Sequence, residues 1–485
     1  MVLKGYSFFK YSGEKIKVMF GILRWKFIFI ISIIFYISIA LFVNTPFIGS
    51  DGRSYQRMAV NIAEGNGFSN SIAPPFEKQF FREPGYPCFF SIACSVNKLL
   101  GNTNVALEYK DDNPGYYEGS HPEIIILRIL QAILASLTVL FFYKTLLFFL
   151  DPILSAIISF LFIFYLPFAI FVTFPQREIL VTAILTFMGF LFIRSATSNK
   201  NLWFDILFGI LAAVLVLTLQ AYVFILPFFL IAHIVISKSF KKSAISATII
   251  AGVFLLGVTP WIYRAYNEVN DLRVIKSFGV SYTYEYKKFH DANAKAYYAD
   301  LDGNAAFYKS KIVESYNESG KIMFEKSYNG FYTKYADSLN NVINQKALSS
   351  NFDWLKFKVK SIVQINFRKA FFWPFWKPDF RKNISTILSE DSRLSIQIAL
   401  AIGFFIGFIA LFGIILFIKK TWYFLPVFTF HFLMIPLMAD EGRRVLPFLP
   451  FIFMFFVLSS IYLYYSIRKK LLKIKKEEHF NPFIF

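Results

Sequence analysis

The chain has 485 residues, of which 56% are hydrophobic and 20% aromatic, with 63 phenylalanines, and its formal net charge is +20. That much apolar surface exceeds what one soluble core can hold, which excludes a water-soluble globular fold and calls for a bilayer to cover the rest. The positive charge follows the short loops between apolar runs instead of gathering on one folded face, which excludes a nucleic-acid-binding protein.

In chain order, Lys4, Lys10, Lys15, Lys17, Arg24 and Lys26 precede a first apolar run at about 27–43. That run is too long for a removable signal peptide and lacks a small-residue cleavage site, so it is expected to be a span. Further runs long enough to cross the hydrocarbon core lie at roughly 124–150, 153–173, 178–193, 203–219, 221–236, 244–262, 394–418, 422–438 and 445–466. The expectation is an all-α polytopic membrane protein of about ten transmembrane helices. Arg468, Lys469, Lys470, Lys473, Lys475 and Lys476 follow the last run, so both ends read as cytoplasmic. Threading from there places Arg194 with Lys200, then Lys238, Lys241 and Lys242, then Lys419 and Lys420 on that same side.

Two stretches then fall on the far side of the membrane. The first, at 44–122, opens with Ser50, Asp51 and Gly52. Tyr55, Met58, Ala59, Ile62 and Ala63 follow at helical spacing, up to Glu64-Gly65-Asn66-Gly67. This predicts a short amphipathic helix, N-capped by Ser50 or Asp51 and stopped by glycine. The segment Phe81-Arg82-Glu83-Pro84-Gly85-Tyr86-Pro87 reads as a rigid turn, and the apolar stretch after it, to Leu100, as an interfacial segment. The second stretch, 263–393, is rich in Lys, Tyr, Asn and Asp and is expected to form an external mixed soluble loop domain, closing on the aromatic cluster Phe371–Trp376. The chain thus divides into an N-terminal transmembrane region, 1–262, that external domain, and a C-terminal transmembrane region with a basic tail, 394–485.

The charges that could do chemistry sit at helix ends. Asp51 follows the first span directly, where a carboxylate can meet both a water-soluble and a lipid-borne reactant; capping a helix is its alternative role. Arg82 offers a cation for phosphate and Glu83 a second carboxylate, or the two form a surface ion pair. Arg177 and Glu178 occupy the very short turn Thr173–Glu178, where Arg177 alternatively anchors a helix end. In Asp440-Glu441-Gly442-Arg443-Arg444, two arginines lie at the outer face against the positive-inside trend, and a lipid phosphate is their natural partner, with salt bridges to Asp440 and Glu441 as the alternative. Cys88 and Cys94, six residues apart on one helix, face different ways and are not expected to form a disulfide. The five histidines show no metal-ligand spacing, so no zinc site is expected.

Asp51-Gly52 with Tyr55, Ala59, Asn61 and Gly65-Asn66-Gly67-Phe68, then Arg82-Glu83-Pro84-Gly85-Tyr86-Pro87, resembles the first external loop of GT-C glycosyltransferases, specifically family 39. That family includes the protein O-mannosyltransferases and the lipid A aminoarabinose transferases. Arg128 and Gln131, Pro260-Trp261 with Arg264, and Arg443 to Pro447 occur in the order the family shows. The resemblance implies transfer of a sugar from a polyprenyl-phosphate donor to a lipid, glycan or protein acceptor on the non-cytoplasmic face, with inversion. It implies that Asp51 is the general base or a ligand to a divalent cation such as magnesium or manganese, both roles staying open. Arg82, Arg264, Arg443 and Arg444 would hold the donor phosphate, Glu178 fills the acidic position of the second external loop, and Tyr55, Glu83 and Tyr86 are candidates for substrate binding. It also implies a multi-pass protein of the inner (plasma) membrane. Arg444 stands where an aromatic residue often follows the last-loop arginine, and Gly85-Tyr86-Pro87 replaces paired prolines; both departures bear on the acceptor class.

A transporter or flippase of lipid-linked sugars is the alternative reading, and it would need ionisable residues or broken helices near the bilayer midplane. A structural subunit would leave Asp51, Arg82, Glu178 and Arg443 apart.

Overall fold

The structure is a computed structural model that describes residues 13–43, 49–76, 78–79, 82–104, 121–148, 150–197, 202–237, 239–269, 405–417 and 447–471. Nearly all of the expected external domain, the aromatic cluster at 371–376, the expected span at 422–438, and Arg443 and Arg444 lie outside these residues.

Among the described residues the regular structure is helical, with one isolated antiparallel bridge, Ser69 to Lys78. Four helices are long and apolar enough to cross a membrane: Trp25–Phe42 within α1 (Gly13–Phe42), α4 (Pro122–Leu146), Glu178–Ser195 within α7 (Glu178–Thr197), and Phe240–Asn267 within α10 (Phe240–Val269). Shorter apolar helices are α5 (Pro152–Ile163), α8 (Leu202–Thr218), α9 (Leu226–Ser237), α11 (Phe405–Phe417) and α12 (Leu449–Leu471). The ten full-length spans expected from the sequence are therefore not reached within the described residues.

Two expected spans are interrupted. The run at 153–173 starts as α5, where Asp151 caps the backbone amides of Ile153 and Leu154 at 2.9 and 3.1 Å ahead of Pro152, but it ends at Ile163. A short α6 (Leu166–Ile170) carrying Pro167 and a 3-10 turn, Phe171–Thr173, complete the run. Proline lacks the amide that would continue the ladder, and the carbonyls left free where the 3-10 turn ends are bonded from α4. The Gln131 amide donates to Val172 O at 2.9 Å and Phe174 O at 2.8 Å, and Arg128 Nε to Thr173 O at 3.0 Å. The run at 221–236 divides likewise into a 3-10 segment, Gln220–Ile225, and α9, which has Pro227 in its first turn.

Burial orders the bundle. Glu178–Ser195 is 83% buried and forms its centre, whereas the most apolar part of Phe240–Asn267 is only 17% buried and faces outward. Helix α4 packs on α1 and α7, and α8 packs on α7 and α10. Phe141 stacks on Phe187 with ring centroids 4.0 Å apart, locking α4 to α7. At the α8–α10 crossing the residues are small: a Cβ on Gly257 would lie 2.6 Å from Ala213 Cβ, and one on Gly209 2.8 Å from Val253 Cβ. Such close backbone approach drives helix association where lipid supplies no hydrophobic difference.

The external loop after α1 forms α2 (Gly49–Glu64) and α3 (Gly85–Leu99), which pack on each other, with α3 also resting on α4 and α8. Helix α2 is described from Gly49, with Ser50 and Asp51 in its first turn. It is amphipathic as expected, yet Arg53, Gln56 and Asn61 are buried along with Tyr55, Met58 and Ala59. Its polar side is spent on hydrogen bonds. Gln56 Nε2 donates to Glu123 Oε1 at 2.7 Å, and Asn61 Nδ2 to the Ser69 and Ser71 carbonyls at 2.9 Å each. Gly65 and Gly67 reverse the chain at φ of 84° and 80°, a conformation open to glycine at little cost. Cys88 and Cys94 are free thiols, as expected.

Replacing Gly257 by leucine should force α8 and α10 apart and lower the thermal stability of the detergent-solubilised protein, whereas Gly252→Ala, facing open space, should not. Equal melting temperatures for the two variants would contradict the close crossing.

Candidate functional site

The site is built on the turn at Arg82-Glu83, whose two side chains are directed to different partners. Arg82 NH2 donates to Asp51 Oδ1 at 2.7 Å, with the two side chains 17% and 19% exposed. The Arg82 guanidinium also lies over the Tyr55 ring, 5.6 Å from its centroid. Glu83 turns inward to accept from Arg177 NH1 at 2.7 Å, and both partners are only 8% exposed. Arg177 NH1 also reaches Thr218 O at 3.3 Å, and the Gln220 amide donates to Glu83 Oε1 at 3.4 Å. The pair thus joins the loop to α7 and to the end of α8.

Beneath it, Tyr86 and Tyr55 meet edge to face at 4.9 Å, and the Tyr86 hydroxyl donates to Gln131 Oε1 at 3.1 Å. Burial pushes the Tyr55 phenol above its usual range; the nearby charges of Arg177 and Arg82 pull it down, and those of Asp51 and Glu83 push it up. Burial also raises Tyr86, with Glu178 adding to it. Burial works against the charge on Arg177, but Glu83 first, then Tyr55, Glu178 and Asp51, hold the guanidinium above the ordinary arginine value. These couplings place Asp51, Tyr55, Arg82, Glu83, Tyr86, Arg177 and Glu178 in one electrostatic cluster.

Arg264 joins from the end of α10. Its guanidinium stacks on Trp261, 4.5 Å from the ring centroid, lies 5.7 Å from that of Phe68, and donates to Gln79 O at 3.1 Å, three residues before Arg82. Trp261 and Phe68 meet edge to face at 4.9 Å. The sequence-predicted residues Asp51, Tyr55, Arg82, Glu83, Tyr86 and Glu178 therefore come together, with Arg264 clasping the same loop; Arg443 and Arg444 lie outside the described residues. Glu83 and Tyr86, expected to bind substrate, are buried and bonded to the bundle, so they position the loop. Among the described residues no group of three or more His, Cys, Asp or Glu gathers in a way that could hold a metal ion. With its carboxylate against a guanidinium, Asp51 does not make a divalent-cation site with the residues described.

The sequence reading missed two features here. The sequence offers membrane anchoring as one role for Arg177, and its pairing with the first loop is visible only in the structure, where it and Glu83 form the buried ion pair. Away from the loop, Asp205 in the first turn of α8 accepts from Ser195, and from Ser246 at 2.8 Å, while His233 lies 3.1 Å from Ser195 and 3.0 Å from Ser243. This network joins the last turns of α7 with the first turns of α8 and α10, so it too sits at helix ends.

The helical architecture is similar to that of solved structures of an archaeal oligosaccharyltransferase. The particular likeness is to the oligosaccharyltransferase of Archaeoglobus fulgidus in its apo form, at a TM-score of 0.50 and 14% identity, covering 94% of this chain and 53% of that one. The same archaeal protein in complex with an inhibitory peptide and a dolichol-phosphate gives 0.49, and tethered to an acceptor peptide containing the NVT sequon it gives 0.48, both at 14% identity and covering 94% of this chain and 52% of the other. This chain thus spans about half the length of the structures it matches. No family model matches the sequence, and no curated protein matches it either.

Removing one partner of the buried pair leaves an uncompensated charge, so Glu83→Gln or Arg177→Met should destabilise the fold by about 3–5 kcal/mol. Asp51→Asn, at a partly exposed pair, should cost only about 1 kcal/mol or less. Denaturant or thermal unfolding of the three variants checks this; similar losses in all three would contradict the division between an inner and an outer pair.

Proposed function

We propose that this protein is an integral membrane glycosyltransferase of the family 39 type, moving a sugar from a polyprenyl-phosphate donor to an acceptor hydroxyl on the external face, with inversion. The observation that carries the reading is the 2.7 Å pair of Asp51 and Arg82, partly exposed and held on a loop at one end of an apolar helix bundle. The fold shared with an oligosaccharyltransferase supports a transferase, and the ordered motifs support the donor class.

In this reading Asp51 takes the proton of the acceptor hydroxyl as its oxygen attacks the anomeric carbon. The bond from that carbon to the phosphate oxygen breaks, and the polyprenyl phosphate leaves with the electron pair. Arg82 and Arg264 face the charge that gathers on the leaving phosphate, joined by Arg443 and Arg444 from the last external turn. Arg82 is bonded to Asp51 before the donor arrives, so binding of the phosphate draws the guanidinium from the carboxylate and frees Asp51 Oδ1 to take the proton. Glu178, within the field of Arg177 and Tyr86, holds the charge balance of the cluster. The transporter reading is less well supported, because the charged groups sit at helix ends and not at a midplane.

Transfer of radiolabelled sugar from a panel of polyprenyl-phosphate sugars by the purified protein tests this. Asp51→Asn should lower turnover by about 10²–10⁴-fold, the range for loss of a general base, while the protein still inserts and folds. Equal turnover in the two proteins would remove Asp51 from the mechanism. Arg443→Ala should chiefly raise KM for the donor, by about tenfold or more for one lost charged phosphate contact.

A further inference from the structure

At the opposite end of the bundle from Asp51 there is a second polar feature, a cavity of about 400 Å³ lined by Trp25, Tyr143, Lys144, Leu147, Phe148, Phe190 and Arg194. Its distance from the loop follows from helix geometry. Helix α4 leads from Glu123, beside Gln56, to Lys144 in its last turn, and α7 leads from Glu178 to Arg194. At 1.5 Å per residue these paths are about 32 and 24 Å long, close to the thickness of a hydrocarbon core.

Two cations from different helices converge on this cavity. Lys144 Nζ lies 5.8 Å and the Arg194 guanidinium 5.8 Å from the centroid of the same Phe190 ring. Lys144 also lies 5.6 Å from the Trp25 ring, and Arg194 5.2 Å from the Phe148 ring. Neither cation forms a salt bridge within the described residues, whereas Arg82, Arg177 and Arg264 at the other end each face a carboxylate or a carbonyl. Simple snorkelling would bring each cation separately to water. Here both are held over aromatic faces at one cavity, an arrangement that leaves their N–H groups for an anion.

The wall continues toward the bilayer centre. From Phe190 and Phe148 it passes to Phe187 and Phe141, stacked 4.0 Å apart and half-buried, so an apolar track leads inward between α4 and α7. A ligand that satisfies both features carries an anionic phosphate at one end and a hydrocarbon chain at the other. We infer that the Lys144–Arg194 cavity is a binding site for the phosphate headgroup of an anionic membrane lipid, its chain lying along the Phe141–Phe187 track. This site is separate from the proposed transfer site, and the inference stands whether or not that reading holds.

The test is native mass spectrometry of the full-length protein in detergent, titrated with phosphatidylglycerol and, in a parallel arm, with phosphatidylcholine or inorganic phosphate. Phosphatidylglycerol should bind as a discrete adduct that inorganic phosphate does not displace at millimolar concentration, and phosphatidylcholine should bind more weakly. Arg194→Gln, a change at an exposed position that leaves the core intact, should weaken that adduct about fivefold, and Lys144→Gln by a similar factor. Lys241→Gln, an exposed cation outside the cavity, should leave it unchanged. Binding unaffected by both cavity variants, an equal loss in Lys241→Gln, or full displacement by inorganic phosphate would each overturn the inference.

Discussion

The buried ion pair of Glu83 and Arg177 is the joint on which the external loop depends. A charge this far from water is tolerable only with a partner of opposite sign and further hydrogen bonds, and here the Thr218 carbonyl and the Gln220 amide complete the set. The pair ties three segments distant in sequence to one point: the turn after α2, the start of α7 and the end of α8. Gly85 makes the approach close enough, because a Cβ there would collide with the Thr218 side chain and come within 2.8 Å of its backbone nitrogen. Once Glu83 is fixed inward, its neighbour Arg82 is fixed outward, and the reach of Arg82 to Asp51 follows.

A second constraint, the need to satisfy every polar group of the backbone within lipid, shapes the helices around that joint. Where α6 and the 3-10 turn after it leave the carbonyls of Val172, Thr173 and Phe174 without helical partners, Arg128 and Gln131 supply donors from α4. Gln131 then accepts from Tyr86, so the same side chain that repairs the broken helix also props the external loop. The break is in this way part of the site's support.

Much of this was legible in the sequence where the signal was local. The helix at Gly49–Glu64 with its glycine stop, the apolar runs of α4, α7 and α10, the free cysteines, and the grouping of Asp51 with Arg82 could be read from spacing, turn residues and motif order. What could not be read depends on long-range partners. Hydropathy counts apolar residues and cannot see that the run breaks after Ile163 and ends in carbonyls bonded from another helix. It gives no sign that Glu83 pairs with a residue 94 positions away, and so it left Glu83 looking like a surface ligand. Asp205 was passed over for a similar reason: a single acid at the mouth of an apolar run looks solvated until Ser195 and Ser246 are known to converge on it.

The two ends of the bundle hold their cations in opposite ways, and that difference bears on how each would meet a phosphate. At the loop end Arg82, Arg177 and Arg264 already have anionic or carbonyl partners, so an incoming phosphate must exchange with an existing 2.7 Å bond before Arg82 can grip it. Charge alone gains little from such an exchange, because the new contact is offset by the lost one. A ligand prevails there only by adding contacts that the Asp51 carboxylate does not make, such as those of a sugar and of further arginines. That makes occupancy selective, and in the proposed mechanism it couples capture of the leaving group to release of the base. At the far end Lys144 and Arg194 face rings that hold them in place without neutralising them, and an anion there displaces only water. Such a site favours any lipid with a suitable headgroup charge, which fits retention in a leaflet better than turnover.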